Sequence, residues 1–170
     1  MRYKRGFTLV ELLITIVVAS ILIAVAVPAF SSFVQNNRIT AQTNELVTAI
    51  ASARSEAIKR KQGVTVCNSS DGATCTGSWD QGWIMFTDAN SNGTVDAADS
   101  DTVLRVWGPF SGGMTITTIP ANTRSASLDR LGAASSNVTF QLRIPDCRGD
   151  KARDLILRTS GVVETSSQAC

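Results

Sequence analysis

The first patterned stretch of the chain is a long, predominantly apolar run. From Leu9 to Val27 nineteen residues run LVELLITIVVASILIAVAV, and Glu11 is the only charged side chain among them. About 20 consecutive apolar residues are what a helix needs to cross the hydrocarbon core of a bilayer. The run therefore predicts a transmembrane segment over about 9–27. Past Pro28 the pattern becomes periodic. Ile39, Thr43, Leu46, Ile50, Ala53 and Ala57 recur at steps of four and three, and Asn36, Arg38, Gln42, Glu45, Ser52 and Lys59 are assigned to the opposite side. That is one face of an amphipathic helix. Pro28 removes one helical hydrogen bond and predicts a bend. No Gly/Ser/Pro linker divides the two halves, so a single helix is expected over 7–62, with Gly63 as its stop.

Beyond Gly63 the period falls to two. Val64–Val66, Gly82–Thr87, Thr102–Trp107, Met114–Ile119, Val138–Arg143, Leu155–Arg158 and Val162–Val163 read as strands, and Thr159-Ser160-Gly161 as a turn between the last two. The turn-rich run from Asn68 to Thr74 reads as a loop. One long helix followed by an antiparallel sheet is an α+β arrangement, with residues 63–170 as a β-rich globular head.

Composition adds constraints. Apolar residues make up 44% of the 170, which the 9–27 run largely explains. The net charge of +2 depends on Arg2, Lys4 and Arg5; without them 13 basic and 14 acidic side chains remain, a net of −1. Charge alone therefore calls for no nucleic-acid or membrane-surface partner. There are four cysteines and no histidine. An even count in an exported chain reads as two disulfides. Three pairings are open; Cys67 with Cys75 and Cys147 with Cys170 closes the shortest loops and is preferred. A zinc site is the weaker alternative, because there is no CxxC pair.

Asp88, Asn90, Asn92, Gly93, Asp96 and Asp99 fall at positions 1, 3, 5, 6, 9 and 12 of a calcium-loop pattern. Asp99 reaches less far than the glutamate usual at the last position, and the flanks read as strands. The competing reading is an acidic hairpin loop held by Asx turns. Beyond calcium no cofactor is expected. With no histidine for a triad, no phosphate loop and no nucleophile elbow, no catalytic residue is assigned.

The N-terminus reads Lys4-Arg5-Gly6-Phe7-Thr8-Leu9-Val10-Glu11-Leu12. A secretory signal has a shorter apolar core with a small-residue cleavage site behind it, and neither holds here. The stretch resembles the type IV prepilin signal, in which the cut precedes the apolar segment. The resemblance implies a leader over 1–6, cleavage between Gly6 and Phe7, N-methylation of Phe7, and Glu11 as the acid at the fifth mature position. A carboxylate at the centre of a membrane helix costs about 2.5–3.5 kcal/mol, less near an interface. The Phe7 amine of a neighbouring subunit would neutralise Glu11 in a filament and draw the helix out of lipid. The plainer reading is that Glu11 snorkels to the headgroups.

The head carries Gly82-Trp83-Ile-Met-Phe86-Thr-Asp88-Ala-Asn90-Ser-Asn92-Gly93. This is similar to the GW-x-x-F-x-D-x-N-x-D-G stretch of the GspH/FimT group of minor pilins and pseudopilins, with Asn92 in place of the usual Asp. Cys147 to Ile156 resembles the end of FimU-type minor pilins. The resemblance implies the pilin fold and a minor pilin that primes assembly of the type IV pilus and enters it at or near the tip, serving twitching motility, adhesion or DNA uptake. It implies other minor and major pilins, a prepilin peptidase and the inner-membrane assembly platform as partners. It also implies a single-pass inner-membrane stage with the head in the periplasm, then the pilus on the cell surface. Two alternatives accompany it: a type II secretion pseudopilin of the GspH type, and a pilus-associated DNA receptor. For the last, Arg148, Lys151, Arg153 and Arg158 are the candidate phosphate contacts. The Gly-Arg-x-Arg motif of DNA-uptake relatives is absent, since Gly161 is followed by Val162-Val163-Glu164.

Overall fold

The computed structural model describes residues 7–145, 147 and 149–170. Helix α1 covers Leu9–Arg60. It is followed by β1 (Val64–Asn68), β2 (Trp83–Thr87), β3 (Val103–Trp107), β4 (Thr115–Ile119), β5 (Ser125–Leu128), β6 (Val138–Arg143), β7 (Ala152–Leu157) and β8 (Val163–Gln168). The chain divides into two compact units, Met1–Asn37 and Arg38–Cys170.

In the first unit the helix begins at a side-chain cap. The Glu11 amide donates to Thr8 Oγ1 at 3.2 Å, which satisfies one of the amides that a helix start leaves orphaned, and the Thr8 carbonyl accepts the first helical bond, from the Leu12 amide at 3.2 Å. Inside the apolar run the hydroxyls of Thr15 and Ser20 donate to the carbonyls of Leu12 and Val17, each at 2.7 Å. No hydroxyl there is left without an acceptor. Pro28 lies within the helix, which continues through it.

The second unit sets residues 38–60 of α1 against two four-stranded sheets, where one sheet was expected. Their strand orders are β3-β2-β1-β5 and β4-β6-β7-β8, antiparallel throughout. The predicted stripe of Ile39, Thr43, Leu46, Ile50, Ala53 and Ala57 is buried, and Ala49 joins it. Gln42, assigned to the outer face, is 9% exposed. It lies three residues from Ile39 and four from Leu46 on the helix surface, and its Nε2 donates to Ser111 Oγ at 2.9 Å.

Strands β1 and β2 are buried on both faces. Val64, Val66, Trp83 and Met85 belong to the main core with the helix; Cys67, Ile84 and Phe86 form a second cluster with Cys75, Val95 and Val103. Trp79 bridges toward the other sheet. Its ring meets Phe140 edge-on at 4.9 Å and its Nε1 donates to the Thr123 carbonyl at 2.8 Å. Trp83 stacks on Trp107 at 6.0 Å.

The helix ends differently from the prediction. Lys61 takes the left-handed conformation, with φ of 56°. The Gln62 amide returns to the Ala57 carbonyl at 3.2 Å and the Lys61 amide to that of Ile58 at 3.4 Å. That is a Schellman ending with a lysine at the position glycine usually holds. Gly63 serves another purpose: a Cβ there would run into the Asp88 carbonyl oxygen.

Candidate functional site

The apolar segment is one part of the candidate machinery. From Leu9 through Phe33 its large side chains are exposed all round the helix, and Phe7 at its head is 81% exposed. A helix apolar on every side belongs in lipid or in the core of a larger body. Among the described residues it is the one helix long and apolar enough to cross a membrane. Glu11 sits in its first turn, with Thr8 capping the same turn. Thr8-x-x-Glu11 is a capping pattern legible in the sequence, and the reading above passed over it. Gly6 lies outside the described residues.

The cysteines pair as Cys67–Cys75, at 2.02 Å, and Cys147–Cys170, at 1.95 Å. The first bond closes a loop organised by Asp71, which sequence reasoning treated only as a turn residue. Asp71 Oδ1 accepts from the amides of Ala73 (2.9 Å) and Thr74 (2.8 Å) and from Ser69 Oγ (3.0 Å); Oδ2 accepts from Thr74 Oγ1 at 2.5 Å. The Thr74 hydroxyl, then the Thr74 and Ala73 amides, hold this carboxyl well below the usual aspartate range. The second bond ties the last residue to the segment after β6, where the Cys170 amide donates to the Gly149 carbonyl at 2.9 Å.

The acidic loop between β2 and β3 is built around Asp88, a fully buried carboxylate. Its Oδ2 accepts from Thr65 Oγ1 at 2.6 Å and the Gly93 amide at 3.1 Å, and its Oδ1 from the Asn92 amide at 3.0 Å. Thr65 Oγ1 also stands 2.7 Å from Ser127 Oγ, so the carboxylate ties the loop to β1 and β5. The remaining members of the calcium pattern are engaged pairwise. Asn90 Nδ2 donates to Asp99 at 2.5 Å, and Asn92 Nδ2 and Thr94 Oγ1 donate to Asp96 at 2.7 and 2.9 Å. These bonds, that of Asn92 first, lower the Asp96 pKa. Among the described residues no group of three or more His, Cys, Asp or Glu is placed to hold a metal ion. Two Asx turns shape the loop: the Asn92 amide donates to Asn90 Oδ1 at 3.1 Å and the Thr94 amide to Asn92 Oδ1 at 2.8 Å.

Among the described basic residues near the C-terminus, two pair with carboxylates. Arg143 Nη1 pairs with Asp154 Oδ1 at 3.0 Å and Arg158 Nη2 with Glu164 Oε2 at 2.9 Å. Arg153 Nη1 donates to the carbonyls of Asp150 and Ala152 at 2.8 and 2.9 Å. Arg153 lies on β7 and Arg158 just after its end. Lys151 is half-buried ahead of Arg153. Arg148 lies outside the described residues.

Comparison with known proteins agrees with this layout. The family model described as type II transport protein GspH matches residues 42–161. That of the prokaryotic N-terminal methylation motif matches residues 1–27. No curated protein matches the sequence. Among solved structures, the type IV minor pilin FimU of Pseudomonas aeruginosa, strain PAO1, is similar in two crystal forms. In the first the TM-score is 0.62 at 18% identity, over 81% of this chain and 98% of that one. In the second it is 0.58 at 18% identity, over 77% and 98%. At this identity the likeness speaks for the fold.

Proposed function

From the premise that this chain belongs to the GspH family of pilin-like proteins, we propose that it is a minor pilin that primes assembly of the type IV pilus and is built into it at or near the tip. The observation that carries the proposal is the helix surface from Leu9 to Phe33, apolar on every side and exposed, with Glu11 in its first turn. A lone subunit has nothing to cover that surface, whereas lipid and then a filament core both do. In this reading a peptidase cuts between Gly6 and Phe7, and Phe7 is methylated. Residues 7–62 then form the assembly helix, and 63–170 form the head, held in the periplasm until assembly. The Phe7 amine of one subunit neutralises Glu11 of another. That contact sets register and makes the filament a better environment than the bilayer for this carboxylate. Other pilins and the inner-membrane assembly platform are the partners, and no catalytic role is assigned.

A second reading, a pseudopilin of the type II secretion system, is favoured by the description of the matching family model. The test is a strain lacking this chain, with surface pili, secreted proteins and DNA uptake measured in parallel. Few or no pili, restored by the full chain, is the expected result. Normal pili with lost secretion would replace the first reading by the second. Normal pili and secretion with lost DNA uptake would make the head a receptor.

A further inference from the structure

The two disulfides stand in opposite surroundings. Cys67 lies on β1, between β2 and β5, and is 0% exposed. Ile84 and Phe86 are buried with it, and Cys75, Val95 and Val103 pack against that cluster. At the other bond Cys147 is half-buried against the main core, and Cys170 is exposed.

Thiol–disulfide exchange begins when a thiolate reaches one sulfur and expels the other, so its rate depends on access and on the leaving group. At Cys67 the approach is closed. An attack on the half-buried Cys75 would expel the Cys67 thiolate among apolar side chains, where a charge is disfavoured. At the second bond the open sulfur belongs to Cys170, and the thiolate expelled is that of Cys147, which is not fully buried.

Strand β8 gives this second bond something to hold. It is the outermost strand of its sheet, and none of its six side chains is buried; Val163 and Ser166 are half-buried and the rest exposed. Beyond its ladder to β7, β8 is fastened near one end by Glu164, paired with Arg158 at 2.9 Å. Past its other end stands the disulfide, beside the bond from the Cys170 amide to the Gly149 carbonyl at 2.9 Å. A strand with so little buried surface opens at low cost once such a tie is cut.

We propose that Cys147–Cys170 is a site of thiol–disulfide exchange open to a low-molecular-weight thiol, and that it is a reducible latch on β8. The thiolate attacks Cys170 Sγ, the disulfide breaks, and Cys147 leaves as a thiolate that takes a proton from water. A second thiol then attacks the mixed disulfide at its own sulfur, which releases Cys170 as a thiol. Two small thiols are oxidised to one disulfide, and the protein disulfide is reduced to two thiols. Cys67–Cys75 stays closed throughout.

The test incubates the purified full chain in detergent with reduced glutathione, quenches it with iodoacetamide and maps the cysteine peptides by mass spectrometry. Glutathione is expected on Cys170, with Cys147 alkylated, at a rate about tenfold or more above that of any modification at Cys67 or Cys75. In denaturant the difference should shrink, because all four sulfurs are then open. Amide exchange in the reacted chain should quicken at residues 163–168 and stay unchanged in β1 and β2. Equal native rates at the two bonds would overturn the proposal. So would a first adduct on Cys147, or unchanged exchange in β8 once the bond is open. None of these readouts needs a pilus, so they stand or fall apart from the assembly reading.

Discussion

The Asp88 carbonyl occupies the space a Cβ on residue 63 would need, and the Asp88 amide donates to the Gly63 carbonyl at 2.9 Å. The end of the helix, the start of β1 and the acidic loop are thereby drawn into one junction. Gly63→Ala must push the two backbones apart, and overpacking of this kind costs about 1–3 kcal/mol. Thermal melting of the detergent-solubilised full chain should show a lower Tm for Gly63→Ala. Lys61→Gly, which relieves the left-handed residue of its Cβ, should leave Tm level or raise it.

Asp88 offers the sharpest core test. Its two oxygens accept from Thr65, Asn92 and Gly93. Asp88→Ala leaves those donors unmatched in a buried place and should lower stability by about 3–5 kcal/mol, the range for breaking a buried charged network. Asp88→Asn keeps one acceptor oxygen and should fall between. Urea midpoints measure both. Because each oxygen already has its donors, added calcium should leave the wild-type midpoint unchanged.

Much of this architecture can be read from periodicity, and the misses share a cause. The helix stripe from Ile39 to Ala57 and the alternation in β4 and β6 are carried by apolar side chains that choose one face. Strand β5, Ser-Ala-Ser-Leu, and most of β8, Glu-Thr-Ser-Ser-Gln, have little apolar pattern, because β5 is short and β8 is an exposed edge. They are strands because a neighbour offers hydrogen bonds, and a sequence does not display its neighbours. Gly63 looked like a helix stop because glycine usually is one; its actual constraint is a carbonyl 25 positions later. The acidic loop illustrates how one spacing serves two chemistries. Alternating Asp and Asn suits a calcium loop and a chain of Asx turns alike, and only the placement of the oxygens separates them.

The disulfides should differ in what they protect. On a chain-entropy basis the separations of 8 and 23 residues correspond to about 2.5 and 3.4 kcal/mol. Removing Cys147 and Cys170 together should loosen β8, an edge strand whose far end meets that bond. Faster amide exchange at residues 163–168, with β1 and β2 unchanged, is the expected signature. Replacing Cys67 and Cys75 by alanine should act on β1 and the 68–76 loop and leave β8 protected.

Asp71 sets an acid limit. Its pKa is lowered on folding from the ordinary 3.8, so its contribution is complete above the unfolded value and is lost as pH falls through and below it. Tm should decline below about pH 4, and part of that decline should vanish in Asp71→Asn, which lacks the titrating group. The same variant should already melt lower at neutral pH, because its amide nitrogen cannot accept from Thr74. An acid limb equally steep in both proteins would remove Asp71 from the account.

Glu11 separates a role in the membrane from a role in assembly. The Glu11 amide is held by Thr8 Oγ1 whatever the side chain at position 11, so Glu11→Gln should leave the helix start intact and make bilayer insertion easier. Processing at Gly6 and membrane accumulation should therefore match the wild type. On the proposed intersubunit contact, however, position 11 without its negative charge would no longer gain from a neighbour's Phe7 amine. Thr8→Val does the reverse: it removes a cap at a cost of about 1 kcal/mol but keeps the charge. Immunoblots of membrane and sheared-pilus fractions distinguish the two. Glu11→Gln should retain the chain in the membrane and deplete it from pili by tenfold or more, as loss of about 1.4 kcal/mol or more at the contact requires, whereas Thr8→Val should shift the distribution far less. Equal depletion in both variants would mean that helix initiation, and not charge pairing between subunits, is what the Thr8-x-x-Glu11 turn provides.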